Sequence, residues 1–215
     1  SEIFKKIITI STKNPLNIII NTDWIDYHKN YNTWVSKKFL KVFGKKRKYL
    51  DKITLKHKNI AAALQKRLEE IVIYQLKYLK QKTNIDKLCI AGGVGLNCSL
   101  NGRIEKEKIF SQIFIQPASG DSGVAYGSCL ISTIKRKSVR IKKTFNFSLG
   151  HRETSSEIKK NVNKKGLRFK THKNIFKKVA ELILNGKIIG WFQDGSEFGP
   201  RALGNRSILC KPYPS

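Results

Sequence analysis

The segment best suited to chemistry is residues 190–209, GWFQDGSEFGPRALGNRSIL. Its polar side chains, which could bind an anion or hold the segment in shape, are Glu197, Arg201, Asn205, Arg206 and Ser207. An arginine offers a rigid fork of donors for phosphate or carboxylate, and glycines let backbone N–H groups approach a ligand closely. The pattern therefore predicts an anion-binding loop. The alternative is a turn-rich connector whose arginines are solvated.

A second candidate site lies where a predicted apolar strand, residues 87–91, breaks at a glycine turn. The turn is GGVGLN, residues 92–97, and a helix is predicted to follow it. A strand, a glycine turn and a helix N-terminus can together bind an anion or a nucleotide, because free N–H groups and the helix dipole point at the ligand. The alternative is that these glycines serve only the geometry of the turn.

A third candidate follows the next predicted strand, residues 112–116. That strand ends in the loop PASGDSG, residues 117–123, before a helix predicted over residues 124–133. Asp121 in this loop is either an ordinary helix N-cap or a ligand for a metal or a phosphate-bound ion. Two strand–loop–helix units in tandem predict a parallel or mixed α/β layer with both loops at one edge.

The other predicted elements follow from apolar periodicity and turn residues. In the first half they are a hairpin or two strand pieces in residues 1–22, a helical surface segment in 23–50, and a core-facing helix over 59–82 capped by Asn59. In the second half they are helices over 154–165 and 174–185, a short strand at 167–169, and a buried strand at 187–192. The lysine-rich residues 135–143 have the composition of a linker and predict a domain boundary near residue 145.

The charge of the chain could suggest a nucleic-acid partner, since 215 residues carry a formal net charge of +28. The basic residues are mostly lysines, however, and they are spread along the whole length. Aromatic residues do not alternate with the basic clusters as they do in base-stacking platforms. This distribution disfavours nucleic-acid binding and indicates solvated surface charge, with a compositional bias of the coding genome.

The composition also indicates the compartment. No run of about 18 apolar residues and no signal peptide are present, so no membrane association is expected. The four cysteines form no CxxC pair, and Cys89 and Cys129 lie in apolar runs where a free thiol acts as a small hydrophobe. We therefore expect a cytoplasmic protein. The absence of methionine suits a fragment of a longer chain.

Three motifs taken together resemble the nodulation/cephamycin-type O-carbamoyltransferases. They are LCIAGGVGLNC at residues 88–98, QPASGDSG at 116–123 and EFGPRALGNRSIL at 197–209. The resemblance covers roughly residues 59–212 and is weak before residue 59. It implies an α/β fold in which residues 1–145 are the rear part of an actin/sugar-kinase/Hsp70-like domain. Residues 146–215 would then begin a YrdC-like domain.

The resemblance also implies a reaction. Carbamoyl phosphate and ATP would give carbamoyl-adenylate, and the carbamoyl group would pass to a hydroxyl of a sugar or antibiotic-like acceptor. The residues implied to hold the adenylate are Gly92, Gly93, Val94 and Asn97. Asp121 would bind a divalent metal of the iron type, with Mg²⁺ as the alternative. Arg201 and Arg206 would neutralise phosphate charge, while Asn205 and Ser207 fix orientation and Glu197 holds an arginine.

The chain departs from the family pattern in ways that bear on activity. The paired metal-binding histidines are missing, since the histidines present are scattered at His28, His57, His151 and His172. The first phosphate loop is also absent, Asp194 replaces a usual glycine, and Cys210-Lys211 replace a usual Ala-Asp. We therefore expect a chain that does not turn over carbamoyl phosphate alone and needs a separate polypeptide carrying the front half. The alternative is a basic nucleic-acid-binding protein on a degenerate nucleotide-binding fold.

Overall fold

The computed structural model describes residues 2–137 and 147–212, so the predicted boundary near residue 145 lies outside the described residues. The described residues combine helices with two-stranded sheets, which confirms the predicted mixed α/β character. Contacts divide the chain into two compact units. Unit 1 comprises residues 1–88 and 97–114, and unit 2 comprises residues 89–96 and 115–215.

The secondary structure alternates between helices and short strands. The helices are α1 (Glu2–Ile7), α2 (Lys37–Phe43), α3 (Leu55–Thr83), α4 (Cys98–Glu107), α5 (Ser122–Lys137), α6 (Ser155–Lys164) and α7 (Ile175–Leu184). The strands are β1 (Ile8–Ile10), β2 (Ile18–Ile20), β3 (Lys87–Ile90), β4 (Gln112–Ile115), β5 (Ile189–Phe192) and β6 (Arg206–Leu209). Short 3₁₀ turns occur at Thr22–Trp24 and Gly93–Leu96.

The start of unit 1 is a hairpin beside a small aromatic core. Strands β1 and β2 pair antiparallel with Ile8 opposite Ile20, which confirms the predicted hairpin. Phe4, Ile7 and Trp24 are buried together, with Phe39 and Phe43 packed against them. The prediction of one helical surface segment over residues 23–50 is therefore wrong in part. Only Lys37–Phe43 is helical, because Ser36 caps the helix by accepting the N–H of Phe39 at 3.2 Å.

Helix α3 is the longest element and begins earlier than predicted. Thr54, not Asn59, is its N-cap, and the N–H of Thr54 donates to Nδ1 of His57 at 3.1 Å. The prediction that one apolar face of this helix points into the core is confirmed at Ile71, which is 1% exposed. It is wrong at Leu64, which is 43% exposed. Helix α4 buries Leu100 and Ile104 in the same unit.

Strands β3 and β4 place the two candidate loops at one edge of a sheet. The N–H of Gln112 donates to the carbonyl of Asp86, and the N–H of Gln116 donates to the carbonyl of Ile90, each at 3.4 Å. Both strands advance by four residues between these bonds, so the pair runs parallel. This confirms the predicted parallel arrangement, in which a glycine turn follows β3 and the loop 117–123 follows β4.

Unit 2 confirms two predicted helices and corrects a predicted strand. Helix α6 begins with a capping box in which the N–H of Thr154 donates to Glu157 at 2.7 Å, and α7, predicted over 174–185, has Asn174 as its N-cap. Residues 167–169 do not form a strand. Strand backbone needs a ladder partner, and among the described residues no strand pairs with this segment.

Three predictions about local environment are also corrected. The run over residues 187–192 is not buried, because β5 alternates in exposure and Ile188 is 73% exposed. Cys89 and Cys129 are exposed instead of packed as small hydrophobes. Lys135–Lys137 of the predicted linker continue α5, and the rest of that segment lies outside the described residues.

Within residues 2–137 and 147–212, no helix combines the length and apolar character that crossing a bilayer requires.

The burial of Ile104 gives a test of the unit 1 core. Ile104 is 0% exposed, so Ile104→Ala should leave a cavity and lower the free energy of unfolding by about 2–5 kcal/mol. Chemical denaturation measures this change. Ile53→Ala is the matched control, because Ile53 is 62% exposed in the same unit and should lose little stability. Equal losses in the two variants would contradict the described packing.

Candidate functional site

Within unit 2 the glycine turn is attached to the two other candidate segments. The N–H of Gly92 donates to the carbonyl of Ser119 at 2.7 Å, which joins the turn to the loop after β4. Nη2 of Arg201 donates to the carbonyl of Leu96 at 2.6 Å, which joins the turn to the predicted anion-binding segment, residues 190–209, called the arginine loop from here on. Segments far apart in sequence therefore meet at one place, as a binding site built from loops requires.

The arginine loop also touches the loop 117–123 directly. Gly199 has φ of +127°, and a β-carbon placed on it would lie 2.9 Å from the carbonyl oxygen of Pro117. Only a glycine combines this backbone conformation with so close an approach. The glycine in the Phe-Gly-Pro sequence is therefore needed for packing one loop against the other.

The glycine turn has some free N–H groups and some that are already bonded. The amide of Gly92 is bonded to Ser119, and the amide of Gly95 donates to the carbonyl of Gly92 at 2.9 Å. Gly93 and Val94 open the 3₁₀ turn, and among the described residues their amides have no recorded acceptor. Both residues are exposed, so these two N–H groups are the ones that the turn can offer to an anion.

Asn97 is occupied by the start of helix α4. Its Oδ1 accepts the N–H of Leu100 at 3.0 Å, and its Nδ2 donates to Oε1 of Gln65 at 2.9 Å. These bonds make Asn97 the N-cap of α4 and tie it to α3 within unit 1. Its implied bond to a ribose hydroxyl stays a prediction.

Asp121 is exposed and immediately precedes α5. The N-cap alternative is not seen, since its carboxylate makes no recorded hydrogen bond within the described residues, while its backbone carbonyl accepts the N–H of Val124 at 3.0 Å. The described residues also contain no cluster of three or more His, Cys, Asp or Glu side chains that could hold a metal. A single carboxylate does not fit an iron-type ion, which takes several nitrogen or oxygen ligands.

Glu197 organises the arginine loop through its carboxylate. Oε1 accepts the N–H of Leu203 at 2.8 Å, of Asn205 at 2.7 Å and of Arg206 at 3.3 Å. Hydrogen bonds from the backbone N–H groups of Asn205 and then Leu203 lower the pKa of Glu197 from 4.5 to about 2. The expectation that Glu197 holds an arginine side chain is corrected, because it binds the backbone.

Arg206 holds the turn between β5 and the loop. Its Nη1 donates to the carbonyl of Gln193 at 2.6 Å and its Nη2 to that of Asp194 at 2.9 Å. Its guanidinium carbon lies 3.4 Å from the ring centroid of Phe192, a cation–π contact. Asp194 has φ of +46°, a left-handed backbone conformation that favours glycine. The phosphate-binding role of Arg206 stays a prediction.

Asn205 and Ser207 also support the loop from within. Asn205 is 9% exposed, and its Nδ2 donates to Oγ of Ser148 at 2.6 Å and to the carbonyl of Gly195 at 2.8 Å. Oγ of Ser207 accepts the N–H of Gly204 at 3.1 Å. Strand β6 begins at Arg206 and pairs antiparallel with β5, so the end of the predicted loop is a strand. Ligand-orienting roles for Asn205 and Ser207 stay predictions.

The structure adds two serines that sequence reasoning missed. Ser148 holds Asn205, and nothing in the turn-like residues around it indicated this contact. Ser119 is 6% exposed, and its Oγ is buried without a hydrogen-bond partner next to the glycine turn. A small polar residue within the PASGDSG loop was the available signal for Ser119.

The lowered pKa of Glu197 predicts a pH dependence. A carboxyl whose pKa is depressed in the folded chain stabilises it above the unfolded value of 4.5 and loses that effect as the pH falls toward about 2. Glu197→Gln should therefore weaken the fall in thermal unfolding temperature between these pH values. Glu153→Gln, at an exposed glutamate of the same unit, is the control. An identical pH profile for Glu197→Gln and the wild type would refute the assignment.

The close approach of Gly199 to Pro117 gives a second test of the site. Gly199→Ala forces a β-carbon into the Pro117 carbonyl at positive φ and should cost about 1–3 kcal/mol of unfolding free energy. Gly190→Ala is the control, since a β-carbon at Gly190 meets no atom within 4 Å. Denaturant titration compares the two variants, and a Gly199→Ala variant as stable as Gly190→Ala would speak against this loop contact.

The sequence matches the models of two protein-family domains. The description "Carbamoyltransferase N-terminus" matches residues 1–130, and "Carbamoyltransferase C-terminus" matches residues 180–215. The first match begins at residue 1, so the similarity reaches further back than the motifs alone indicate.

Individual relatives agree with these matches. Nodulation protein NolO of Bradyrhizobium diazoefficiens is 40% identical over 167 residues, which cover 75% of this chain and 30% of the relative. Nodulation protein NolNO of Sinorhizobium fredii is 37% identical over 166 residues, covering 75% of this chain and 24% of the relative. The 3'-hydroxymethylcephem-O-carbamoyltransferase of Streptomyces clavuligerus is 30% identical over 128 residues, covering 60% of this chain and 23% of the relative.

The chain thus spans less than a third of the length of these curated relatives. The N-terminal description alone matches well over half of the chain, and the meeting of the three motifs in unit 2 is consistent with it. The chain belongs to the carbamoyltransferase family.

Proposed function

We propose that this chain contributes a nucleotide-binding site to an ATP-dependent O-carbamoyltransferase. In the proposed reaction, carbamoyl phosphate, ATP and one water give carbamoyl-adenylate, phosphate and pyrophosphate. The carbamoyl group then passes to a hydroxyl of a sugar or antibiotic-like acceptor. The observation that supports this most directly is the 2.6 Å bond from Arg201 to the carbonyl of Leu96, which brings a cation to the glycine turn.

The groups at this turn suit the phosphates of a nucleotide. The amides of Gly93 and Val94 are exposed, and the exposed guanidinium of Arg201 uses one recorded donor on Leu96. The guanidinium therefore retains further N–H groups that match phosphate oxygens in a planar, charge-assisted geometry. A fixed cation and fixed N–H dipoles also stabilise negative charge that develops during phosphoryl or acyl transfer.

ATP supplies an activated phosphorus and a good leaving group when it is bound. This chain's own residues would hold the phosphates in one orientation. The carbonyl of Ser119 fixes the turn that carries Gly93 and Val94. Glu197 fixes the loop that carries Arg201. A divalent metal beside Asp121 would need ligands beyond the donor set of the described residues. Mg²⁺ is compatible with one carboxylate plus nucleotide phosphates.

The rest of the enzyme is part of the same proposal. The fold would be the rear of an actin/sugar-kinase/Hsp70-like domain over residues 1–145 and the start of a YrdC-like domain over residues 146–215. The matched region covers 30% of nodulation protein NolO. In this proposal the paired histidines of the enzyme lie outside these 215 residues, on a separate polypeptide. The cytoplasm fits this chemistry, since ATP is present there and the four exposed thiols stay reduced.

Replacing Arg201 tests the proposed nucleotide site. Arg201→Ala removes the cation at the glycine turn and should weaken ATP binding by about tenfold or more, the factor expected for a lost charge-assisted bond. Isothermal titration calorimetry with the 215-residue chain measures the change. Arg152→Ala is the control, because Arg152 is an exposed arginine of the same unit. Equal weakening in both variants would indicate general charge attraction and contradict the site.

The lack of paired histidines within these 215 residues gives a further prediction. The isolated chain should release no pyrophosphate from ATP in a carbamoyl-phosphate-dependent assay, because it lacks paired histidines and a first phosphate loop. Pyrophosphate release by the chain alone would show that the proposed division of labour is wrong.

A further inference from the structure

Two side-chain amides form a hydrogen-bonded pair between helix α3 and the N-cap of helix α4. Nε2 of Gln65 donates to Oδ1 of Asn97 at 3.1 Å, and Nδ2 of Asn97 donates to Oε1 of Gln65 at 2.9 Å. Both residues are half-buried and belong to unit 1. The pair therefore ties the last residue of the GGVGLN motif to a helix residue 32 positions earlier in the chain.

The other partners of the pair fix which way each amide faces. The N–H of Leu100 can only donate, so Asn97 turns Oδ1 toward it in the 3.0 Å bond that caps α4. An ionised carboxylate can only accept, so Gln65 turns Nε2 toward Oε1 of Glu69, at 2.8 Å. With one end of each amide fixed in this way, the two amides bond to each other in a single orientation.

These bonds leave Asn97 with one group for a ligand. Its Oδ1 has two lone pairs, which the N–H of Leu100 and Nε2 of Gln65 occupy. Its Nδ2 carries two hydrogens, and within the described residues Gln65 is their one recorded acceptor. Asn97 can therefore offer a ligand one N–H donor and no acceptor, and it needs no conformational change to do so.

A single neutral donor suits a hydroxyl oxygen better than a phosphate. Phosphate oxygens are charged and bond best to cations and to free backbone N–H groups, which Arg201, Gly93 and Val94 provide in the proposed function. A ribose hydroxyl oxygen accepts a hydrogen bond from a neutral N–H. Because Asn97 directly follows the glycine turn in sequence, the ribose is the part of a nucleotide that its amide would recognise.

We propose that Gln65 is a positioning residue for ribose recognition, and this inference rests on the proposed function. Gln65 occupies an acceptor site of Asn97 and holds the plane of its amide, so that the remaining Nδ2 hydrogen donates to a ribose hydroxyl oxygen. Glu69 supports this arrangement because its carboxylate holds Nε2 of Gln65. Gln65 itself does not touch the nucleotide. The pair makes the site selective for a nucleotide that keeps this hydroxyl.

The ribose selectivity of the 215-residue chain tests the inference. Isothermal titration calorimetry compares ATP with 2′-deoxy-ATP and 3′-deoxy-ATP, each of which lacks one ribose hydroxyl. The wild type should bind ATP about fivefold more tightly than one of these analogues, the factor of one hydrogen bond of typical net strength. Gln65→Leu should abolish this preference, because Asn97 loses the partner that fixes its amide.

A matched control and a second variant separate this role from a structural one. Gln75→Leu should keep the preference, since Gln75 lies in the same helix and its side chain bonds elsewhere, to the carbonyls of Pro15 and Leu16. Asn97→Asp keeps a good N-cap and an acceptor for Gln65 but has no side-chain N–H. It should lose the preference, whatever its added charge does to the overall affinity for ATP.

Each outcome of these measurements decides the inference. A preference for ATP that survives in Gln65→Leu or in Asn97→Asp would overturn it, and so would the loss of that preference in Gln75→Leu. A Gln65→Leu chain that no longer unfolds cooperatively, while Gln75→Leu does, would show a structural role and overturn it too. Equal affinity of the wild type for ATP and both analogues would overturn it and leave the proposed function standing. Absence of ATP binding by the wild type would overturn both.

Discussion

The conformation of the arginine loop depends on one carboxylate, which accepts backbone N–H groups that a helix or a sheet would otherwise pair. A loop rich in glycine and proline cannot satisfy its own backbone N–H groups, and Glu197 accepts three of them, from Leu203, Asn205 and Arg206. Desolvated N–H groups cost free energy unless they are bonded, so this carboxylate decides which loop conformation is stable. With the loop closed on Glu197, Arg201 reaches the carbonyl of Leu96.

The polar residues of this loop fall into two groups: those that hold the loop in shape and those that remain available to a ligand. Arg206 and Asn205 donate to backbone carbonyls of the neighbouring turn, and Ser207 accepts a backbone N–H, so they maintain the shape. Arg201 is exposed, as is Asp121 in the neighbouring loop 117–123. A motif rich in hydrogen-bonding residues is thus largely scaffold, and the chemistry that it can perform falls to the few groups facing outward.

In a chain of net charge +28, the few acidic residues have an important role in offsetting repulsion between positive charges. In unit 1, hydrogen bonds from Arg103 and then Lys77 lower the pKa of Glu107, and a hydrogen bond from Lys80 lowers that of Asp86. These carboxyls therefore stay ionised and locally offset the repulsion among lysines. Positive charge is tolerated because it is spread along the chain.

The sequence by itself determined the presence of helices α3 to α7, the parallel order of β3 and β4 and the three motifs, because periodicity, caps and glycine turns are local signals. It could not determine the length of the strand after Ile188, the absence of a strand at residues 167–169 or the exposure of Cys89, since each depends on which partner lies alongside. Only the tertiary structure showed that Glu197 binds backbone and that Ser119 is buried unpaired at the glycine turn. Hydrogen-bond partners between distant segments are set by packing, and residue types alone do not encode them.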